Sequence, residues 1–286
     1  MQGRFVAAQR DIALVPAAWM LDRGKARTAS GSSHGLLLVA DPVYQPDDPR
    51  LTALGTVVAD GQPRATRAAL DPEHRDLQRL TYTSREAAGI ASEFPPTEVV
   101  PLLGLDATRE RLLALDWSTF RFIHIATHGT VDARVPQLSS LMLGSFDASG
   151  RRVNGAVRVA DLSLETLNAE VVVFSACETA LGKEVVSEGL VGIRSTALAR
   201  GARAVVASLW PVSDEMGARL MTEFYRRLLR DSMMPAQALG AAMRSELASD
   251  GSADPSLWAA YQVSAVAFGP SNRVRKADAS KARTSS

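Results

Sequence analysis

The sequence predicts an α/β fold, a three-layer α/β/α sandwich with a mostly parallel central sheet. Three observations predict it. Short continuous apolar runs, such as Leu36 to Ala40 and Val171 to Val173, read as strands buried on both faces, because a strand with one wet face alternates apolar and polar residues. Segments with helical spacing alternate with these runs, as crossover helices do in parallel sheets. A histidine and the one cysteine of the chain stand where two of the runs end, the edge at which such sheets place their sites.

The elements follow in order. Residues 1–35 form a lead-in: Met1 to Met20 suits a strand and a turn, and Arg23 to His34 is loop-like. Leu36 to Ala40 is a buried strand closed by Asp41-Pro42. Residues 42–80, rich in Pro, Asp and Arg, read as a long surface excursion. Ala87, Ile90 and Ala91 give Ser84 to Phe94 a helical spacing, and Val99 to Leu103 is a short strand. Asp106 is placed to cap a helix carrying Leu112, Leu113 and Leu115. Arg121 to His128 is a strand. Leu138 to Phe146, the turn Asp147 to Gly150, and Arg151 to Val153 predict a hairpin.

Asp161 to Leu167 is a short helix leading into the strand that ends at Cys177. Glu188 to Arg200 is a helix stopped by Gly201. Arg203 to Leu209 is a β-branched run closed by Trp210-Pro211. Ser213 caps a helix from Asp214 to Arg230, with acids in its first turn and arginines in its last, as the helix dipole favours. Pro235 opens a helix to Leu247, and Tyr261 to Phe268 is a last strand. Residues 36–270 thus form the compact domain, and 271–286 a basic tail without apolar pattern, expected to be disordered.

Composition narrows the function. At 286 residues the chain can bury a substantial core. The formal net charge is +1, which gives no global field for nucleic acid. A single cysteine makes no internal disulfide and fits a reducing compartment. No apolar stretch approaches the roughly 20 residues that span a bilayer. Ile12 to Met20 is short and broken by Pro16, so a cytoplasmic location without a membrane partner is expected.

The chemistry concentrates at Cys177 and His128. Cys177 follows its strand among polar Ser175, Glu178 and Thr179, which is unlike a cysteine filling a core. His128-Gly129 ends the other strand, and glycine lets a backbone N–H approach a substrate closely. A thiol needs a base or cationic neighbour to act as a nucleophile near neutral pH. His124 reads as structural. The spacing His124-x-x-x-His128 is not a zinc motif, because that motif needs a helix and a central glutamate. No metal or other cofactor is expected. Trp210 ends a strand at the same edge and either lines a pocket or packs in the core.

These motifs carry a resemblance. His124-Ile125-Ala126-Thr127-His128-Gly129, Ser175-Ala176-Cys177-Glu178-Thr179-Ala180-Leu181-Gly182 and Ser187-Glu188-Gly189-Leu190 match the CHAT domain, a bacterial caspase-like cysteine peptidase module often found after tetratricopeptide repeats. Gly201 to Val212 and Trp258-Ala259-Ala260-Tyr261 continue the match, so the likeness runs from about Arg4 to Gly269. The resemblance implies a caspase-like fold and a catalytic dyad of Cys177 and His128. It implies an oxyanion hole made by the N–H groups of Gly129 and Cys177, and a protein substrate cleaved in a bacterial regulatory or defence pathway. Clan members that cut after Lys or Arg often carry an acid two residues before the cysteine; this chain has Ser175 there. Asp41 is the other acid placed to face a substrate pocket, with Ser175 and Trp210 beside it. A tetratricopeptide-repeat sensor on another chain is a candidate partner. A catalytically idle interaction module of the same fold is the alternative reading.

Overall fold

A computed structural model describes residues 5–16, 34–54, 77–130, 135–178, 188–210, 212–250 and 254–265. In chain order its strands and helices are β1 (Ala13–Leu14), β2 (His34–Ala40), α1 (Pro49–Thr52), α2 (Thr83–Ala91), β3 (Val99–Leu103) and α3 (Arg109–Leu113). Next come β4 (Phe120–Thr130), β5 (Ser140–Met142), β6 (Ala156–Arg158), α4 (Val159–Leu162), β7 (Val171–Glu178) and α5 (Glu188–Arg200). The last are β8 (Ala204–Ser208), α6 (Asp214–Leu229), α7 (Pro235–Asp250), α8 (Pro255–Trp258) and β9 (Tyr261–Ala265).

The strands form one sheet in the order β1-β9-β8-β7-β4-β2-β3. Its centre, β8-β7-β4-β2-β3, is parallel throughout. Strand β9 runs antiparallel to β8, and β1 from the lead-in pairs parallel with β9. Both faces are covered, as the unbroken apolar runs predict. One face packs Leu37, Ile123, Ile125, Val172 and Val205 against Leu112 of α3, Leu162 of α4 and Ile193 of α5. The other packs Leu36, Phe122, Val173 and Val206 against Ile90 of α2, Leu220 and Phe224 of α6, and Leu239 of α7.

Helix ends follow the predicted chemistry where the signal was strong. The Ser213 side chain accepts from Met216 N at the start of α6, and Gly201 after α5 has a left-handed φ of 122°. Three local expectations shift. Thr108, not Asp106, caps α3; Asp106 lies in a single 3₁₀ turn and pairs with Arg111. Helix α4 spans Val159–Leu162, earlier and shorter than predicted, because Asp161 turns back to accept from Arg158 N. The predicted hairpin survives as a single bridge, Phe146 to Arg152, around the Asp147 turn. The strands it was meant to supply are β5 and β6, which pair with each other, β5 alone also pairing with the end of β4.

The 42–80 segment also departs from a pure surface excursion. Val43, Tyr44, Asp48, Leu51 and Leu77 are buried. Residues 55–76 of it, the tail 271–286 and the end of the last predicted strand lie outside the described residues.

The site edge is built by unequal strand lengths. Strand β2 stops at Ala40, in register with Ala126. Asp41 then turns the chain aside at φ 53°. Strand β4 continues to Thr130, and β5 takes over the vacated side, with His128 in register with Met142. On the other side β7 runs to within one residue of the end of β4, so His128 pairs with Cys177 and Gly129 with Glu178.

Candidate active site

The register brings His128 and Cys177 to adjacent positions on neighbouring parallel strands. Residues in register share a face, and alternate residues along a strand return to it. His124, Ala126 and His128 of β4 therefore share one face with Val173 and Ser175 of β7, and the backbone register continues to Cys177 opposite His128. It is the face on which Ala126 and Val173 pack with α2 and α6.

His128 is buried, and its ring is oriented from outside the sheet. Nε2 lies 2.7 Å from the carbonyl oxygen of Gln78. A carbonyl only accepts, so Nε2 carries a proton, and the neutral ring has its lone pair on Nδ1. The Tyr44 ring stands against the imidazole, centroids 5.2 Å apart and tilted by 54°. The Tyr44 hydroxyl lies 2.7 Å from Thr127 Oγ1 and donates to Met142 O at 2.8 Å. Burial pushes the Tyr44 phenol well above its ordinary pKa, so it stays protonated. A rigid aromatic wall thus abuts the histidine.

Asp41 lies below the same loop with its carboxylate committed. Arg79 grips it as a fork, Nε to Oδ1 and Nη2 to Oδ2, both at 2.8 Å. Arg50 Nη1 reaches Asp41 Oδ2 at 2.9 Å and donates to its carbonyl oxygen at 2.8 Å. The bond to Asp41 holds the Arg79 guanidinium above its ordinary pKa. Ser175 Oγ lies 2.9 Å from the Tyr261 hydroxyl, beside Gly217 of α6, where an added Cβ would come within 3.1 Å of that hydroxyl. Trp210 follows β8 and donates from Nε1 to Ser256 O at 2.9 Å, which ties its indole to α8. Gly129 lies within β4, between Glu178 and Leu141.

Asp214 borders this region from α6. Its Oδ2 accepts from Tyr82 N at 2.6 Å. Burial, reinforced by the charges of Glu86 and Asp41, raises its pKa. His124 is fully buried four residues before His128, with Nε2 3.0 Å from Glu86 Oε1. Among the described residues, no group of three or more His, Cys, Asp or Glu could hold a metal, and no helix is long and apolar enough to cross a membrane.

Sequence reasoning puts Cys177 after its strand and His128 at a strand end; instead β7 runs through Cys177 to Glu178 and β4 through His128 to Thr130, so both lie inside strands near their ends. It also misses what surrounds them. Tyr44, Gln78 and Arg79 all lie in the segment read as excursion. The available signal was Val43-Tyr44 directly after Asp41-Pro42, an apolar pair in a polar stretch. Gln78 acts through its backbone, so its side-chain type carries no signal.

Comparison with known proteins gives two levels of similarity. The chain is 28% identical to tetratricopeptide repeat protein 28 of Mus musculus over 239 residues, 73% of this chain and 9% of that protein. It is 26% identical to tetratricopeptide repeat protein 28 of Homo sapiens over 266 residues, 83% of this chain and 10% of that protein. The chain thus spans about a tenth of the length of these relatives. Among solved structures, it is similar to the Arg-specific cysteine proteinase gingipain R, with TM-score 0.46 and 12% identity, covering 86% of this chain and 49% of that one. It is also similar to the complex of the RgpB pro- and mature domains of Porphyromonas gingivalis, with TM-score 0.47 and 10% identity, covering 87% and 52%. The CHAT domain family model matches residues 1–267, and the chain belongs to that family.

Proposed function

We propose that this chain is a cysteine endopeptidase that cleaves a protein partner with Cys177 as nucleophile and His128 as its acid–base partner. One observation carries the reading: His128 and Cys177 stand in register at the end of adjacent parallel strands, with the histidine held through Nε2 on a backbone carbonyl. Membership of the CHAT family supports it.

The steps follow from the chemistry of the two groups. A free thiol near pKa 8.5 is only a few per cent ionised at neutral pH. His128, with its lone pair on Nδ1, takes the Cys177 proton, and the thiolate attacks the scissile carbonyl carbon. The resulting imidazolium keeps its Nε2–H on the Gln78 carbonyl. It returns a proton to the departing amine, leaving an acyl-enzyme thioester. Water, deprotonated by the same ring, then hydrolyses the thioester and regenerates the thiol. The N–H groups of Gly129 and Cys177 are the proposed oxyanion donors; one such donor is typically worth roughly 10²–10³ in rate.

The tetratricopeptide repeat relatives support a repeat-bearing partner, in the same polypeptide or on another chain. A bacterial setting rests on the motif resemblance; the tetratricopeptide repeat relatives are from mouse and human.

The test compares newly formed protein N-termini in a host expressing wild type or Cys177→Ala. The expected result is a set of cleavages present with wild type and lost with the variant, whose thermal unfolding is unchanged. Equal cleavage by both chains refutes the peptidase reading. No cleavage by either, with partner capture intact in both, replaces it with the idle interaction module.

A further inference from the structure

We infer that Asp41 and Arg79 are positioning residues that hold the Gln78 carbonyl on His128 and so fix the tautomer of that histidine. The inference rests on the peptidase reading for its consequence in catalysis, and on geometry for the clamp itself.

The Gln78 carbonyl and the Arg79 nitrogen belong to one planar peptide unit. Whatever holds the Arg79 backbone therefore restrains the oxygen that meets His128 Nε2 at 2.7 Å. Both residues are exposed at the backbone loop, so side-chain burial does not hold them. Two anchors do. On the N-terminal side Gln45 Nε2 donates to Leu77 O at 2.8 Å. On the other side the Arg79 guanidinium closes its two-bond fork on Asp41. A planar fork on a carboxylate constrains direction as well as distance.

Asp41 is itself over-determined. Its φ of 53° is costly for a residue other than glycine. Thr83 Oγ1 accepts from Asp41 N at 3.2 Å and donates to Leu80 O at 2.7 Å, while Arg50 holds the Asp41 carbonyl. The end of β2, the start of α2 and the 77–80 loop are thereby tied at one point. Such a strained, fully bonded acid suits a fixed post better than a selector for a basic substrate side chain, which would have to displace Arg79.

The experiment uses the full chain with Arg79→Ala, Arg79→Lys and Asp41→Asn. Imidazole ¹⁵N–¹H spectra read the His128 tautomer, and the pH profile of iodoacetamide alkylation reads Cys177, the one thiol present. The Tyr44 phenol lies against the ring, and Asp41 and Arg50, which act on that phenol, with Arg79 on Asp41, are the charged groups next to it. Arg79→Ala and Asp41→Asn are expected to lose the dominant Nε2–H tautomer. Alkylation and peptide cleavage at neutral pH should then slow about 10-fold or more, by analogy with the loss seen when the outer partner of a metal-bound imidazole is removed. Arg79→Lys keeps the charge without the fork and should fall between. If Arg79→Ala does not fold, an Arg79→Lys spectrum identical to wild type overturns the clamp. Unchanged tautomer and alkylation in folded Arg79→Ala overturn it too, as does faster cleavage after basic residues, which would make Asp41 a specificity pocket. A tautomer change in a chain whose wild type cleaves nothing keeps the clamp and removes the peptidase reading.

Discussion

The buried pair beneath the site makes a quantitative prediction. His124 is 0% exposed and Glu86 1%, and they meet at 3.0 Å. The Tyr225 ring closes the pocket edge-on, 5.6 Å from the imidazole. Burial and the Glu86 charge push the Tyr225 phenol well above its ordinary pKa, so it offers no charge. Glu86→Leu removes the acceptor and leaves Nε2 in an apolar pocket. A buried donor without a partner costs about 1–3 kcal/mol, and a buried ion pair broken on one side about 3–5. The expected loss is therefore at least about 1 kcal/mol, which at ~2–4 °C per kcal/mol for a domain of this size is a fall in Tm of about 2–4 °C or more. Replacing both partners, Glu86→Leu with His124→Leu, should recover part of it, because neither polar group is then stranded. Far-UV circular dichroism melts of the two single variants and the double variant give the coupling energy. Additivity within about 0.5 kcal/mol would show that the pair is not coupled and would refute the reasoning.

Two further predictions concern packing and acid stability. At Gly89 in α2 an added Cβ would fall 2.5 Å from Thr222 Oγ1, which is tied to Ala218 O in α6. Gly89→Ala should thus destabilise by about 1–2 kcal/mol despite a helix-propensity gain of about 1 kcal/mol. Thr222→Ala in the same chain should restore the loss in urea unfolding, and a stabilised Gly89→Ala single variant contradicts the close approach. Hydrogen bonds from the Arg50 side chain hold the Asp48 carboxyl below its ordinary pKa, with Arg50 N adding another. A depressed folded pKa gives stability that is present above the unfolded carboxyl value, roughly 3.9, and lost as pH falls through the lower folded value. The stability gap between wild type and Asp48→Asn should be flat above about pH 5 and shrink below about pH 4. A gap constant down to pH 2.5 counts against the assignment.

The parts legible in the sequence were those set by near neighbours along the chain. Doubly apolar runs gave β2, β7 and β8, because a strand covered on both faces has no polar phase to show. Ser213 before two acids and the arginines closing the helix gave α6. His124 read as structural, and it is buried on Glu86. The short elements failed where local signals competed, as at Asp106 and Thr108, both able to cap within three residues of each other. The excursion hid its buried residues because Val43, Tyr44 and Leu51 have no periodic partners nearby in the chain.

The sequence by itself determined that a thiol and an imidazole would sit at strand ends of one parallel sheet, since periodicity and punctuation are properties of the adjoining few residues. Only the tertiary structure decided that His128 faces a carbonyl fifty residues away, that Asp41 is gripped by Arg79, and that β5 replaces β2 beside the longer β4. The physical reason is that backbone acceptors and strand lengths become partners through the path of the chain, and a carbonyl looks the same in every residue that carries it.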